Sequence, residues 1–487
     1  MTDPLPSRYR HKGLILAICC LSLFIVSLDA TVVNVALPSI GQEFHSTISG
    51  LQWTIDAYTL VLASLLMLSG STADRLGRRR TFQVGLAVFS LGSLLCSFAP
   101  TVAWLVVFRI LQAIGGSMMN PVAMSIITAT FRDPKQRARA VGIWGAVVGV
   151  SLGLGPIIGG ALTASIGWRA IFWINVPVGV AAILLTAFFV PESRGDGARR
   201  FDPIGQGLVI VLLGCLVGGL IEGPNLGWSS PGTILLFVLA AAALVGLIRY
   251  EPRREQPLLD VRFFRSVPFV SAIVTAIVVF GTQGAFLFLT TLYLQEVRGL
   301  TPLEAGVRTL PLAVLQLIAA PLAGRMVSTI GTRLPLALGS AAIGVAALLL
   351  TTLGEATPMP FLLITFAVLG LGLGLMNPPI TTTAVSGMPR SQAGSAAGVA
   401  STSRQTGVSL GVAIAGSVAG VTGASSVGAG FASATHAVWW ILVALAVVAF
   451  VLAFVANSAW ARRSTEQIAP LLAEPATGSV PVSAPAH

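Results

Sequence analysis

Apolar residues run through this chain in blocks of about twenty, broken by short polar or basic turns. That pattern predicts a bundle of membrane-crossing helices. The blocks are 14–37, 52–73, 82–99, 102–126, 140–163, 169–190, 204–222, 231–248, 267–292, 305–327, 334–354, 360–385, 394–420 and 436–459, fourteen spans in all. Strand-length alternation is missing, which argues against a β-barrel. The ends, 1–12 and 461–487, are polar or rich in Pro, Ser and Ala, and are predicted to be disordered tails.

Composition sharpens this to an integral membrane protein, with the lipid bilayer as its first partner. Of 487 residues, 55% are hydrophobic and 10% charged, where a soluble domain carries about 25% charged. The net charge of +11 would suit a nucleic-acid partner, but its distribution excludes one. One set of alternating turns holds 24 of the 29 Lys and Arg, the other set three (Arg169, Arg298, Arg308), and Arg109 and Arg404 lie inside spans. Basic short loops stay cytoplasmic, so the charge reports orientation. An even number of spans then puts both termini in the cytoplasm. The four cysteines all fall within apolar runs, which gives neither a disulfide framework nor a metal site.

The chain repeats itself. Met119-Asn120-Pro121 recurs as Met376-Asn377-Pro378, and Gly149-Val-Ser-Leu-Gly153 as Gly407-Val-Ser-Leu-Gly411. Both copies hold six spans, leaving a pair between them. The predicted all-α organisation is an amino-terminal six-helix bundle (13–193), an inserted helix pair with its linkers (194–266) and a carboxy-terminal six-helix bundle (267–460). A central site between the halves follows from such a plan.

Ionisable residues inside spans are costly and therefore functional candidates. Asp29, Asp56 and Arg109 lie in spans one, two and four, each roughly 6–12 Å from the non-cytoplasmic helix ends at 1.5 Å per residue. An Arg at that depth needs an anion. A carboxylate whose charge depends on that Arg and on access to water is the part that proton coupling requires. Asp56 also lies within reach of surface water, and the sequence leaves open whether it or Asp29 is the principal proton site. Arg404 has no carboxylate in the spans of its own half. It either contacts backbone carbonyls or faces Asp29 or Asp56 across the cavity.

Two further stretches carry motifs. Gly70-Ser-Thr-Ala-Asp74-Arg75-Leu-Gly77-Arg78-Arg79-Arg80 must be a tight turn at the membrane surface, with Gly77 supplying a positive φ. In the fifth span Gly145, Gly149, Gly153, Gly155, Pro156, Gly159 and Gly160 give a bare face for close packing and a bend at the proline.

These residues resemble the major facilitator transporters. The turn at Gly70–Arg79 is similar to the loop between the second and third helices of that family, and the resemblance makes it a cytoplasmic gate. The Gly-Pro span resembles the antiporter signature, and Arg109 with Gln112 resembles the R-x-x-Q-G motif of the fourth helix, with Ala113 where glycine is usual. Leu28-Asp29 through Pro38, Trp168-Arg169-x-Ile-Phe172-x-Ile-Asn175-Val-Pro177, the inserted pair and Arg404-Gln405-x-Gly407 are similar to the fourteen-span drug:proton antiporter branch. The resemblance covers about residues 12–460 and implies multidrug export from the bacterial cytoplasm across the inner membrane.

The expected function is proton-driven export of amphipathic, cationic small molecules, with Asp29, Asp56 and Arg109 in proton coupling. Weak candidates for the substrate cavity are Asn34, Trp53, Tyr58, Gln112, Phe280, Phe286, Arg404 and Gln405. No cofactor is expected beyond the proton motive force, and the working unit is expected to be a monomer. The alternatives are export of one endogenous metabolite, or a uniporter or symporter of the same fold. No nucleophile–base pair, phosphate loop or metal-ligand spacing suggests an enzyme.

Overall fold

Hydrophobic length and end-capping together fix where the helices begin. Polar residues close the starts: Thr47 accepts from Gly50 N at 3.3 Å, Asp133 from Gln136 N at 2.8 Å and Ser230 from Thr233 N at 3.2 Å. Prolines follow directly at 134, 203 and 231, where a missing N–H costs nothing. The computed structural model describes residues 11–472 except 132, 195–201, 255–257, 259, 390–391 and 422–429. The segments 1–10 and 473–487, predicted to be disordered, lie outside the described residues.

The amino-terminal half holds α1 (Lys12–Phe44), α2 (Ile48–Leu76), α3 (Arg78–Ser97), α4 (Val102–Thr130), α5 (Pro134–Ser165) and α6 (Ala170–Phe189), the last broken at Ile174. The inserted pair is α7 (Pro203–Leu226) and α8 (Pro231–Tyr250). The second half holds α9 (Val267–Val297), α10 (Pro302–Ile330), α11 (Arg333–Leu350), α12 (Met359–Val385), α13 (Ala393–Val421) and α14 (Phe431–Val455). Thirteen of these pass the length and hydropathy needed to cross a bilayer among the described residues. The fourteenth, α13, is 29 residues long but carries Arg404, Gln405 and several Ser and Thr. It is a central helix, packed against α9, α2 and α7.

The expected carboxy-terminal tail needs a correction. Ala459–Leu472 forms a further helix, α15. Ala461, Ser464 and Ile468 share one face and are buried. Ser464 Oγ accepts from Val267 N at 3.1 Å, and Ile468 joins Phe263, Phe269 and Ala400. A helical period of small and apolar residues outweighed the polar composition.

The halves meet along α2–α13, α5–α10 and α1–α9. Side chains tie them at the end opposite the basic loops. Gln52 donates to the carbonyls of Val412 and Ala413 at 3.0 and 2.9 Å, Gln42 to Glu296 at 3.1 Å and Gln295 to the Val35 carbonyl at 2.8 Å. At the basic end, Gly142 and Gly145 of α5 and Gly394 and Gly398 of α13 face open space.

The inserted α7 lies across the α2–α13 seam. Leu213, Val217 and Ile221 pack on Leu60, Ala63 and Ala413. Gln206 donates to the Ser64 carbonyl at 2.7 Å, and Trp53 Nε1 to Glu222 at 2.7 Å. On the other side of the seam, Ser417 Oγ donates to the Leu220 carbonyl.

Candidate functional site

Close approach of α3 and α4 builds the site. A Cβ at Gly92 would sit 2.5 Å from the Gln112 nitrogen, and one at Gly115 would sit 2.2 Å from the Phe89 nitrogen. With no side chains there, the helices touch backbone to backbone and bring Ser93 beside Gln112. On the other flank, Gly155 and Gly159 of α5 lie against Thr31 and Val32 of α1, which seats α1 deep in the half.

Asp29 and Arg109 form an ion pair at the centre, 2% and 1% exposed. Both charged groups are held by further hydrogen bonds. Arg109 Nη1 also donates to Gln112 Oε1 at 2.8 Å, and Nε to the Thr54 carbonyl of α2 at 3.2 Å. The guanidinium lies 4.0 Å over the Tyr58 ring. Asp29 Oδ1 accepts from Gln112 Nε2 and from Asn175 Nδ2, both at 2.8 Å. Those two amides also donate to Ser93 Oγ, at 3.1 and 3.0 Å, and Ser93 donates to the Phe172 carbonyl at 3.0 Å. A buried ion pair survives desolvation only with such additional hydrogen bonds.

Asp56 does not join this cluster. It is fully buried on the face of α2 that meets α13, where Oδ1 takes a long 3.4 Å bond from Thr59, Oδ2 has no partner among the described residues and Ser409 is its neighbour. The shared depth of the three residues along their helices held no information about azimuth, and α2 turns Asp56 away from Arg109.

The cavity candidates divide. Tyr58 and Gln112 belong to the ion-pair network, and Trp53 packs over Gly218 and bonds to Glu222 of α7. Phe286 is fully buried, edge-on to Phe366 at 5.0 Å, in the core of the second half. In this structure the aromatic and amide groups of these four are matched by neighbouring helices. Asn34 is buried and donates to the Ala30 carbonyl at 3.0 Å. Arg404 is half-buried, donates to Thr381 Oγ1 at 2.9 Å and lies 5.9 Å from the Phe280 ring, and Gln405 beside it is half-buried. Arg404 forms no ion pair among the described residues, so it faces neither Asp29 nor Asp56 at contact distance.

The loop at 70–80 is a tight turn as expected. Gly77 has φ +105°, and Arg78 pairs with Asp74 at 3.0 Å one helical turn back. Its far side is held by a residue not singled out from the sequence. Glu192 accepts from Arg79 N at 3.0 Å, while Arg78 N donates to the Ser193 carbonyl at 2.9 Å. A Cβ at Gly77 would lie 2.6 Å from the Glu192 carboxylate. Gly70 has open space around it, and no ion pair of Arg75 or Arg79 is present among the described residues.

The fifth span's glycines form two faces, correcting the single bare face expected. Gly149, Gly153 and Gly160 meet Leu317, Ala313 and Leu303 of α10 in the other half, whereas Gly155 and Gly159 meet α1 in their own. Positions 153 and 155 differ by 200° around a helix. Gly145 touches nothing. Pro156 places its carbonyl where a Cβ at Gly306 would lie 2.1 Å away.

The sequence profile described as Major Facilitator Superfamily matches residues 19–412. The chain belongs to that superfamily. Among curated relatives of this major facilitator, the "Multidrug resistance protein Stp" of Mycobacterium tuberculosis is 38% identical over 390 residues, covering 80% of this chain and 72% of that protein. The "Tetracenomycin C resistance and export protein" of Streptomyces glaucescens is 37% identical over 389 residues, with the same shares. A "Methylenomycin A resistance protein" of Bacillus subtilis is 32% identical over 441 residues, 90% of this chain and 94% of that one. Among solved structures, an inward-facing bacterial homolog of the human lysosomal transporter Spinster matches with a TM-score of 0.66 at 19% identity, over 95% of this chain and 99% of that one. A D-xylose–proton symporter matches at 0.67 and 15% identity, over 91% and 97%. Both share the fold.

In this facilitator the contact residues that span-by-span reading gave no role are Ser93, Asn175, Glu192 and Glu222. Ser93 carries no signal in sequence, since serines are frequent in packed membrane helices. Asn175 stood in a quoted motif without a role. Glu192 had one usable signal: it is the first acid after the sixth span, at the same end as Arg78–Arg80.

Proposed function

We propose that this facilitator exports amphipathic small molecules, cations among them, from the bacterial cytoplasm in exchange for protons. The observation that carries this reading is the buried Asp29–Arg109 pair, whose network draws on three other helices of the same half, α2, α3 and α6. A proton that reaches Asp29 removes its charge and cancels the pull on Arg109. The guanidinium keeps Thr54, Gln112 and the Tyr58 ring, but the bond between α1 and α4 is weakened. α1 also rests on Gly155 and Gly159 of α5, and α5 meets the opposite half through Gly153 and Gly160. Protonation is thereby linked to a seam along which the halves tilt. One charge falling through 100 mV supplies about 2.3 kcal/mol.

The Lys and Arg bias places the basic loops and both termini in the cytoplasm of the inner membrane. The seam is then shut on the outer side. With both halves and the inserted pair in one chain, the monomer is the working unit. Multidrug, tetracenomycin C and methylenomycin A resistance among the relatives support export of drug-like compounds. The proton motive force needs no cofactor.

The test uses inverted vesicles with an imposed pH gradient and a panel of drug-like compounds. Wild-type vesicles should lose the gradient on addition of substrates, and vesicles with equal amounts of Asp29→Asn should not. Equal loss in both removes Asp29 from the mechanism. Uptake that ignores the gradient removes the exchange.

A further inference from the structure

We propose that Ser93 and Asn175 are positioning residues that set the pH at which Asp29 takes up its proton, a step that rests on the exchange mechanism above. The argument is one of hydrogen-bond polarity. The Ser93 hydroxyl gives its hydrogen to the Phe172 carbonyl at 3.0 Å, leaving only lone pairs toward the interior. Two amides converge on those lone pairs, Gln112 Nε2 at 3.1 Å and Asn175 Nδ2 at 3.0 Å. Each must therefore present its NH2 end, because an amide oxygen there would meet another oxygen. The same NH2 groups reach Asp29 Oδ1, both at 2.8 Å.

Gln112 has a second reason for this orientation, since its Oε1 accepts from Arg109 at 2.8 Å and from the Cys96 thiol at 3.9 Å. Asn175 gains nothing on its carbonyl side: its Oδ1 is buried with no partner among the described residues. An orphaned buried carbonyl is costly, and reversing the amide would place that oxygen against Ser93 and Asp29. Ser93 and the Asp29 carboxylate together thus hold Asn175 as a donor. The break of α6 at Ile174, just before Asn175, brings both the Phe172 carbonyl and the amide to the same spot.

The charged and titratable groups facing Asp29 are Arg109 from α4, Tyr58 from α2 and Cys96 from α3. The charged side chains of α5 and α9, Lys135, Arg137, Arg139 and Glu296, lie at the ends of those helices. Against this background, donors to Oδ1 favour the carboxylate over the acid.

The experiment is an infrared titration of the purified full chain in liposomes, following the protonated carboxyl stretch that Asp29→Asn removes. Asn175→Ala should move its midpoint to more alkaline pH by about one unit, a tenfold change in proton occupancy. Ser93→Ala, which never touches Asp29, should move it the same way by less, and Ser93→Thr, which keeps the hydroxyl, should restore it. A purely structural role predicts lower heat stability with an unmoved midpoint. An unmoved or acid-shifted midpoint in folded Asn175→Ala overturns the proposal while leaving the exchange mechanism standing. A band that Asp29→Asn does not remove overturns both.

Discussion

At the scale of single residues, the site depends on geometry that closely related side chains cannot reproduce. Arg109 uses Nε and Nη1 on three acceptors while its plane lies over Tyr58. Lysine keeps the charge but has neither the plane nor the fork. Arg109→Lys should therefore leave efflux near that of Asp29→Asn in the vesicle assay, at normal membrane abundance. Gly77 is constrained twice, by φ +105° and by the Glu192 carboxylate 2.6 Å from where a Cβ would sit. Gly77→Ala should cost about 1–2 kcal/mol, read as a lower unfolding temperature of the detergent-purified protein. Such constraints are not visible in composition. The sequence pointed to Gly77 through its place in a charged turn, whereas Glu192, more than a hundred residues away, was marked only by being the first acid after the sixth span.

At the scale of helices, α5 is a two-sided element and its faces should separate by experiment. Gly155→Ala would push a methyl into Thr31 of the same half, so it should lower heat stability. Gly160→Ala would push into the backbone of Pro302 and Leu303 across the seam. It should leave each half folded but loosen the closed end, read as faster thiol labelling of a cysteine placed at Gly153. Equal labelling with and without Gly160→Ala would contradict this. The inserted α7 belongs to the same scale. Its hydrogen bonds to Ser64 and Trp53 hold it to α2, and its contact with Ser417 crosses to α13. A disulfide between Leu220→Cys and Ser417→Cys should stop transport reversibly with reductant, because it fastens the inserted helix, itself held to α2, to α13 of the second half. The glycine spacing was legible in the sequence. Which glycine faces which half was not, because that depends on rotation about the helix axis as packed.

At the scale of the whole molecule, side-chain hydrogen bonds join the two halves at one end, and open space lies beside α5 and α13 at the other. Gln42, Gln52 and Gln295 tie the end opposite the basic loops, while Gly145 and Gly398 look into open space. Cysteines at those two glycines should react with a polar thiol reagent in inverted vesicles, and a cysteine in place of Ala36, fully buried towards the opposite end, should be protected. A reversed pattern would mean that the seam opens toward the other side. The six-plus-two-plus-six organisation was readable from repeated Met-Asn-Pro and Gly-Val-Ser-Leu-Gly segments, because duplicated packing surfaces keep duplicated small residues.

Sequence by itself determined the solvent of this protein, its all-helical make-up and the residues too costly to be idle in lipid. Hydropathy and charge act locally, so Asp29, Arg109 and the turn at Asp74–Arg79 announce themselves wherever they are packed. Tertiary structure alone decided the partners. It joined Asp29 to Arg109 and sent Asp56 to Ser409, gave Trp53 to the inserted helix, and gathered Ser93 and Asn175 around one carboxylate. Each of those outcomes depends on azimuth and crossing angle, which arise only when helices far apart in the chain settle against one another.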